Sequence, residues 1–531
     1  MPDQPSQRVE KVRAAELAAA LSLATDLGMG FPFEHGLHAT LMTMRLAELL
    51  QVDRDTAWET FYASLLMYAG CTTDAELASG IFGGNRTENM TPWQFGSSSE
   101  SLAGVIRALP PPGLPAHRRA YEVARRLPVA RSFRKNHYAS LCEVAAMLAE
   151  RLGLPEPVHH LFFDLTERWD GKGVLDRARA DAIPLPVRIA HVGRDACYQR
   201  LIGGDDYAVA VIEKRGGHAF DPAITEVFTA RAEEVFRAAD SPESVWEATL
   251  ALEPRPWLDL QGDSVDRALA ALGEFADLVS PWLAGHSIGL ADLVGAAAER
   301  LGMDEHEISN VRRAALVHDV GRVAVHPNIW NKPGRLSADD WEQVRLHGYH
   351  TERVLSRGPF LTTLAQASCS HHERLDGSGY HRSVAAGALP PAARLLAAAD
   401  AFQAMTQPRP YREALSLEEA ARTLVEEARR GRHDSQAVAA VLEAAGQPAP
   451  ELDRPAGLTE REAEVIGLLA RGLQTKQVAS ALEISIKTAD RHIQNAYRKI
   501  GVSTRAGATI FAMEHGLVWG KLPIPRTGGD S

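Results

Sequence analysis

Cysteine is scarce in this chain. Four occur in 531 residues, Cys71, Cys142, Cys197 and Cys369, none of them near another or in a CxxC pair. That excludes a disulfide scaffold and a thiolate zinc ribbon, and it fits free thiols in a reducing compartment. Long apolar runs are missing too. No stretch of about 18 apolar residues exists, so a membrane span is not expected. The opening "MPDQPSQRVE" is polar and lacks the apolar core of a signal peptide. The expected location is the cytoplasm. A surplus of basic charge is also absent: the net charge is −11, which excludes a basic nucleic-acid coat but leaves room for a local basic face. Strand-like alternation of apolar and polar residues is rare.

What is present is helical periodicity. Apolar residues recur at spacings of three and four, as in "HATLMTMRLAELL" and "IGLADLVGAAAERLG". With 45% hydrophobic and 24% charged residues, the chain reads as an all-α protein of about three domains. A long internal repeat supports a pair of similar helical domains. His35 and Gly70 match His286 and Gly321 at one offset. "ERWDGKG" (167–173) matches "ERLDGSG" (373–379) at a smaller offset, which Arg188 and Arg394 share. The first copy therefore carries extra residues, including the irregular-looking "GGNRTENMTPWQFGSSSE". The expected segments are a first domain over 1–240, a connecting segment over 241–281, a second domain over 282–445, a linker over 446–457, a small module over 458–520 and a disordered tail over 521–531.

The second copy concentrates metal-ligand chemistry. His286, His318-Asp319, His347, His371-His372 and Asp400 follow one another within 115 residues. Several lie in apolar helical stretches, where an unpaired charge is costly. Imidazole and carboxylate together suit iron, manganese or zinc. Any one of these residues is explained as readily by capping or surface placement; the ordered set is not.

"HDVGR" (318–322) and "HHERLDGSGYH" (371–381) resemble the two signatures of HD-GYP domains, a branch of the HD phosphohydrolases. "IWNKPGRLSADDWE" and "RPYRE" (409–413) match as well, and the resemblance covers about 282–445. It implies a helical domain that cleaves cyclic di-GMP or a related cyclic dinucleotide with a metal centre, often of iron or manganese. It also implies that His286, His318, Asp319, His347, His371, His372 and Asp400 are ligands, with Asp319 bridging two ions. Two adjacent divalent ions can bring the pKa of a water toward neutrality and stabilise charge on phosphoryl oxygens. Arg322 stands where the family has a lysine and is the expected cation beside Asp319 in catalysis. His381 replaces the proline of GYP, and Gln403 replaces a second aspartate. Trp282 stands where trinuclear members have a glutamate, so two ions are expected. Glu373 and Asp376 are expected to brace the turn, and Gly377 and Gly379 to permit it.

The first copy lacks the donors. The offsets place Met67-Tyr68 at His318-Asp319, Leu165-Thr166 at His371-His372 and Arg194 at Asp400; only His35 and, approximately, His137 remain. His159-His160 falls off the ligand positions. A degenerate HD-like domain is expected, serving as ligand site, dimerisation element or scaffold.

"LTEREAEVIGLLARGLQTKQVASALEISIKTADRHIQNAYRKIGVSTR" resembles the LuxR-type helix-turn-helix, a four-helix module. Thr459 and Glu462 form a capping-box pattern; 476–482 is the first helix of the motif, "EIS" the turn and 487–499 the recognition helix. From 485 to 505 there are five basic residues and one acid. Lys487, Thr488, Arg491, His492, Asn495 and Lys499 are the expected groove or phosphate contacts, with Thr475 and Lys476 on the DNA backbone. The expected partners are double-stranded DNA and a nucleotide, with the chain as a homodimer. The sequence therefore reads as a regulator that couples cyclic-dinucleotide hydrolysis to transcription. Two alternatives stay open: a non-catalytic, ligand-sensing LuxR-type regulator, and a phosphohydrolase acting on another nucleotide.

Overall fold

The structure, a computed structural model, describes residues 11–70, 81–82, 95–111, 113–240, 243–385, 388–448, 455–515 and 517–518. Most of the expected irregular loop after Gly83, half of the expected linker and the expected disordered tail lie outside these. The architecture is all-α. Among the described residues one short antiparallel strand pair occurs, Val12–Arg13 against Asp259–Leu260. No helix among them is long and apolar enough to cross a membrane. The chain divides into two compact units, Met1–Ala284 with Val320–Lys332, and Gly285–Asp319 with Pro333–Ser531.

The first unit is built round the helix Ala14–Met29. Its residues from Ala14 to Asp26 are buried on every side, which the run "AAELAAALSLATD" allows because alanine lets neighbouring helices approach closely. The helices His35–Leu49 and Leu185–Gly203 pack on each other beside it. Residues 241–281, expected as a connecting segment, carry the helices Val245–Ala251 and Asp263–Asp277 and one of the two strands; Trp246 is buried there. The end of the expected irregular loop opens a helix, Ser98–Ala108, with a capping box between Ser97 and Glu100.

In the second unit, His286–Arg300 and Glu305–Val317 form an antiparallel-type pair whose second member starts with the Asp304–Glu307 capping box. His347–Leu355, Pro359–Cys369, Pro391–Thr406 and Ser435–Ala444 complete the domain. Four more helices follow, Glu460–Ala470, Thr475–Ala481, Ile486–Ile500 and Arg505–Glu514. They enclose a small core of Val465, Ile466, Leu469, Val478, Ala489, Ile493, Ala496 and Ala508.

The two matched stretches share local geometry. His35 and His286 each open a 15-residue helix, preceded by a residue at φ 75°, Glu34 and Gly285. Arg188 pairs with Asp221 (2.6 Å) as Arg394 does with Asp434 (3.4 Å), and each aspartate caps the helix that follows it. Asp434 is buried and accepts from the backbone N–H groups of Gln436 and Ala437 (2.9 and 3.1 Å). Asp434→Ala should therefore cost about 3 kcal/mol, because it removes the carboxylate partner of a buried guanidinium and uncaps a helix. Denaturant titration of the metal-stripped chain measures this, and a shift below about 1 kcal/mol would count against it.

Candidate metal centre

Five segments bring the seven expected ligands to one buried place. His286 opens its helix. His318 and Asp319 end the helix that starts at Glu305. His347 opens another helix, His371 and His372 follow Cys369 at the end of a fourth, and Asp400 sits inside Pro391–Thr406. All except His372 are fully buried; His372 is partly exposed.

Asp319 sits between two groups. Its Oδ2 faces His318 Nε2 (2.8 Å) and His286 Nε2 (3.7 Å). Its Oδ1 faces His347 Nε2 (3.2 Å) and His371 Nε2 (3.5 Å). Asp400 divides likewise, with Oδ1 at 3.3 Å from His286 Nε2 and Oδ2 at 3.8 Å from His372 Nδ1. Two candidate ligand sets result, His286–His318–Asp400 and His347–His371–His372, and a third group, His318–Asp319–His371, joins them; within each the donor atoms lie within 4.8 Å of one another.

The far side of each ring is anchored. The Nδ1 atoms of His318, His347 and His371 meet the carbonyls of Ala315 (2.7 Å), Val344 (2.5 Å) and Ser368 (2.5 Å). A carbonyl can only accept, so each Nδ1 carries the proton and each Nε2 offers a lone pair to the centre. His286 Nδ1 is held by Gln407 Oε1 (3.1 Å), which also accepts from Arg409 (3.1 Å). Nε2 of His286 and of His318 are buried without a hydrogen bond. Two carboxylates and five imidazoles thus converge in a dry pocket with inward lone pairs, the donor set that divalent cations fill.

The electrostatics agree. Burial lowers the pKa of His318, and burial followed by the charge of His371 takes His372 well below the ordinary histidine range. Burial alone would raise Asp400; the close approach of His286 and the charges of His372 and His371 hold it well below the usual carboxylate range. Burial pulls His371 down, but the hydrogen bond to Asp319 and its charge outweigh that and leave it raised.

The loop of the second signature braces this set. Glu373 is buried and its two carboxylate oxygens accept from the backbone N–H groups of Arg382 (2.7 Å) and Val384 (2.9 Å). Asp376 accepts from Ser378 N (2.9 Å), and Gly377 has φ 76°. A Cβ on Gly379 would lie 2.5 Å from Glu373 Cα, so only glycine fits. Tyr380 stacks on His372, with ring centroids 4.6 Å apart. His381, in the place of the family proline, faces Glu352 at 3.5 Å. Gln403, in the place of the family aspartate, donates to the His286 carbonyl at 3.1 Å. Arg322 belongs to the other compact unit, where its guanidinium lies 5.1 Å from the Trp330 ring.

Gln407 and Arg409 escaped sequence reasoning as supports of His286. Neither is a ligand type, and nothing in their spacing signals a contact 121 residues back. Gln407→Leu should weaken metal binding roughly tenfold to a hundredfold, the usual range for a lost support of a ligating imidazole. Competition against a chelator of known affinity checks it, and unchanged affinity would refute the role.

In the first unit the matched centre is closed. The Arg194 guanidinium lies over the Tyr68 ring at 4.6 Å and donates to the Gly36 carbonyl (3.1 Å). His35 stacks on Phe31, and His137 on Phe133. Burial first, and then the charge of Arg194, depress the His35 pKa to about 3.

In the small module, Ser485 caps the helix Ile486–Ile500 by accepting from Thr488 N, and its hydroxyl also meets Thr488 Oγ1 (2.7 Å). Lys487 and Arg491 are exposed, and Thr488, His492 and Asn495 are half-buried beside them. Thr475 opens its helix, and Lys476 is exposed. Gln494 and Arg498 share the exposed face and were not anticipated. Lys499 differs from expectation: its ammonium is tied to Glu462 (2.6 Å) and the Gly457 carbonyl (2.9 Å), which joins the helix to the capping box at the start of the module.

Comparison with known proteins matches both domains. Residues 271–437 match the HD domain, and 456–512 match the bacterial regulatory proteins of the luxR family. A 3′3′-cGAMP-specific phosphodiesterase 3 of Vibrio cholerae is 28% identical over 414 residues, 76% of this chain and 89% of that protein. A cyclic di-GMP phosphodiesterase response regulator of Xanthomonas campestris is 33% identical over 224 residues, 41% of this chain and 58% of that protein. A cyclic di-GMP phosphodiesterase of Thermotoga maritima is 35% identical over 158 residues, 29% of this chain and 42% of that protein. The chain thus spans about half the length of these last two. The crystal structure of a cyclic GMP-AMP-specific phosphodiesterase of V. cholerae matches with a TM-score of 0.57 at 25% identity, over 82% of this chain and 98% of that one. Fold and site define a metal-dependent phosphodiesterase. The chain is homologous to the HD-GYP phosphodiesterases, and it joins an HD domain to a LuxR-type regulatory domain.

Proposed function

We propose that this protein hydrolyses a 3′,3′-cyclic dinucleotide at a two-ion centre and that its LuxR-type domain binds double-stranded DNA, so that nucleotide turnover is coupled to transcription. The observation that carries this reading is Asp319, whose two oxygens face separate sets of histidines. His286, His318 and Asp400 would hold one ion and His347, His371 and His372 the other, with Asp319 shared; iron or manganese suits the set. When bound, the ions supply Lewis-acid polarisation of the phosphodiester and a water activated near neutral pH. Glu373 and the Asp376 turn hold the histidine pair in place, and Tyr380 offers a ring at the rim for a base to stack against. Arg322, three residues after Asp319 in the chain, is the candidate cation for the phosphoryl oxygens.

The relatives' substrates divide between cyclic di-GMP and 3′3′-cGAMP. The longer of these alignments is to the cGAMP enzyme, which makes cGAMP the second substrate to test. The full chain, purified anaerobically and loaded with iron or manganese, should linearise one of the two. A metal-loaded chain that cleaves neither would leave the ligand-sensing regulator as the better reading.

The first unit we read as a degenerate HD-like domain, on the shared helix starts and the matched Arg–Asp pairs. A homodimer fits a roughly two-fold DNA site. Ile510 and Met513, exposed on the last helix, offer an apolar face for it. A reducing, cytoplasmic setting suits the buried free thiols of Cys142, Cys197 and Cys369.

A further inference from the structure

The proposed reaction makes no use of the Met1–Ala284 part of the first unit, yet that part contains a cavity of about 700 Å³. This falls in the size range of small-molecule sites. Its walls come from the helix Ser98–Ala108, the helix Ala116–Arg151, the end of Asp205–Arg215 and the retained "ERWDGKG" loop. The loop survives although the metal ligands that its counterpart carries are gone.

The charges of the cavity can be followed pair by pair. Arg168 forks onto Asp170 (3.0 and 3.1 Å) and donates to the Gly96 carbonyl (2.9 Å). Lys214 binds Glu100 (2.9 Å), whose carboxyl is held down to about 2 by the Ser97 backbone N–H and by Lys214 itself. Arg215 binds Asp195 (2.5 Å). These three pairs are neutral. Arg134 and Lys172 are left. Arg134 is exposed, with no carboxylate in ion-pair reach among the described residues. Lys172 is 74% exposed and lies 3.9 Å from Asp170, a carboxylate already gripped by Arg168. Lys172 occupies the loop position that Ser378 fills in the second copy. The two cations stand beside one cavity in a chain whose net charge is −11.

The rest of the lining is of another kind. Val105, Leu127 and the Phe95 ring supply an apolar wall, and Tyr138 and Ser98 add hydroxyl groups. Cations and apolar side chains lining one cavity match a ligand with a phosphate and a planar body. We propose that this cavity binds a nucleoside phosphate, and that the degenerate domain is thereby a second nucleotide site, separate from the metal centre.

The test uses the metal-stripped full-length chain, which silences the metal-dependent site, titrated with 5′-GMP by isothermal calorimetry. Saturable binding near one per chain is expected. It should weaken at least tenfold for guanosine, which lacks the phosphate, and for the Arg134→Glu/Lys172→Glu chain. Leu102→Trp, on an exposed wall position, keeps every charge and should also weaken binding by narrowing the cavity. Absence of saturable GMP binding overturns the proposal. So does GMP binding that the double substitution leaves unchanged, or guanosine binding equal to that of GMP.

Discussion

Asp319→Ala and Asp319→Asn should each abolish phosphodiester hydrolysis, by roughly three orders of magnitude or more, and lower the bound metal. Asp319 faces both ligand sets through two histidines on each oxygen, at the shorter distances of 2.8 and 3.2 Å. Asparagine keeps the volume and the shape but loses the charge that must balance two buried cations, so it separates loss of metal from loss of packing. Metal analysis of the purified chains and product formation from cyclic di-GMP or 3′3′-cGAMP give the two readouts. Retention of activity within tenfold, or a full metal complement in either variant, would contradict a shared carboxylate. His372→Ala should do less. Its ring is partly exposed and sits at 3.8 Å from Asp400, at the rim of one set, so one ion is weakened and the other kept.

Lys487→Ala/Arg491→Ala is expected to weaken DNA binding by about 2–6 kcal/mol in all, since each phosphate or base-edge contact contributes about 1–3 kcal/mol. If both side chains meet phosphates, the slope of log K against log salt should fall by about two. Electrophoretic or anisotropy titrations at several salt concentrations measure both effects. Equal affinity for parent and variant would remove the helix Ile486–Ile500 from the interface. Lys499→Ala provides the contrast. Its ammonium is tied to Glu462 and Gly457, so the change should lower the stability of the module by about 0.5–1 kcal/mol, the discounted value for a partly exposed pair, with little change of the salt slope.

Much of this molecule was legible in its sequence because the signals are local. A period of three to four gave the all-α class. The capping pattern of Thr459 and Glu462 marked a helix start that the structure reproduces. The DGxG turn was readable for the same reason: Gly377 and Gly379 answer to backbone conformation and close approach within a few residues. Ligand types could be named because imidazole and carboxylate in apolar helices are costly without a cation.

Other features were not legible because they depend on contacts between distant segments. Gln407 is an ordinary polar residue until the fold sets it against His286. Lys499 looked like a DNA contact until the module closed and brought Glu462 to it. Residues 241–281 looked like a connector, yet Trp246 and the helix after it are buried through packing that no local pattern announces.

The sequence by itself determined the helical class, through its short apolar spacing, and its resemblance to HD-GYP and LuxR-type domains supplied the candidate ligand set, the loss of that set in the first copy and the candidate recognition helix. Only the tertiary structure decided that Asp319 divides the histidines into two sets, that the first copy closes its centre with Arg194 over Tyr68, and that the retained loop borders a cavity. These are distances between side chains far apart in the chain, and packing alone fixes them.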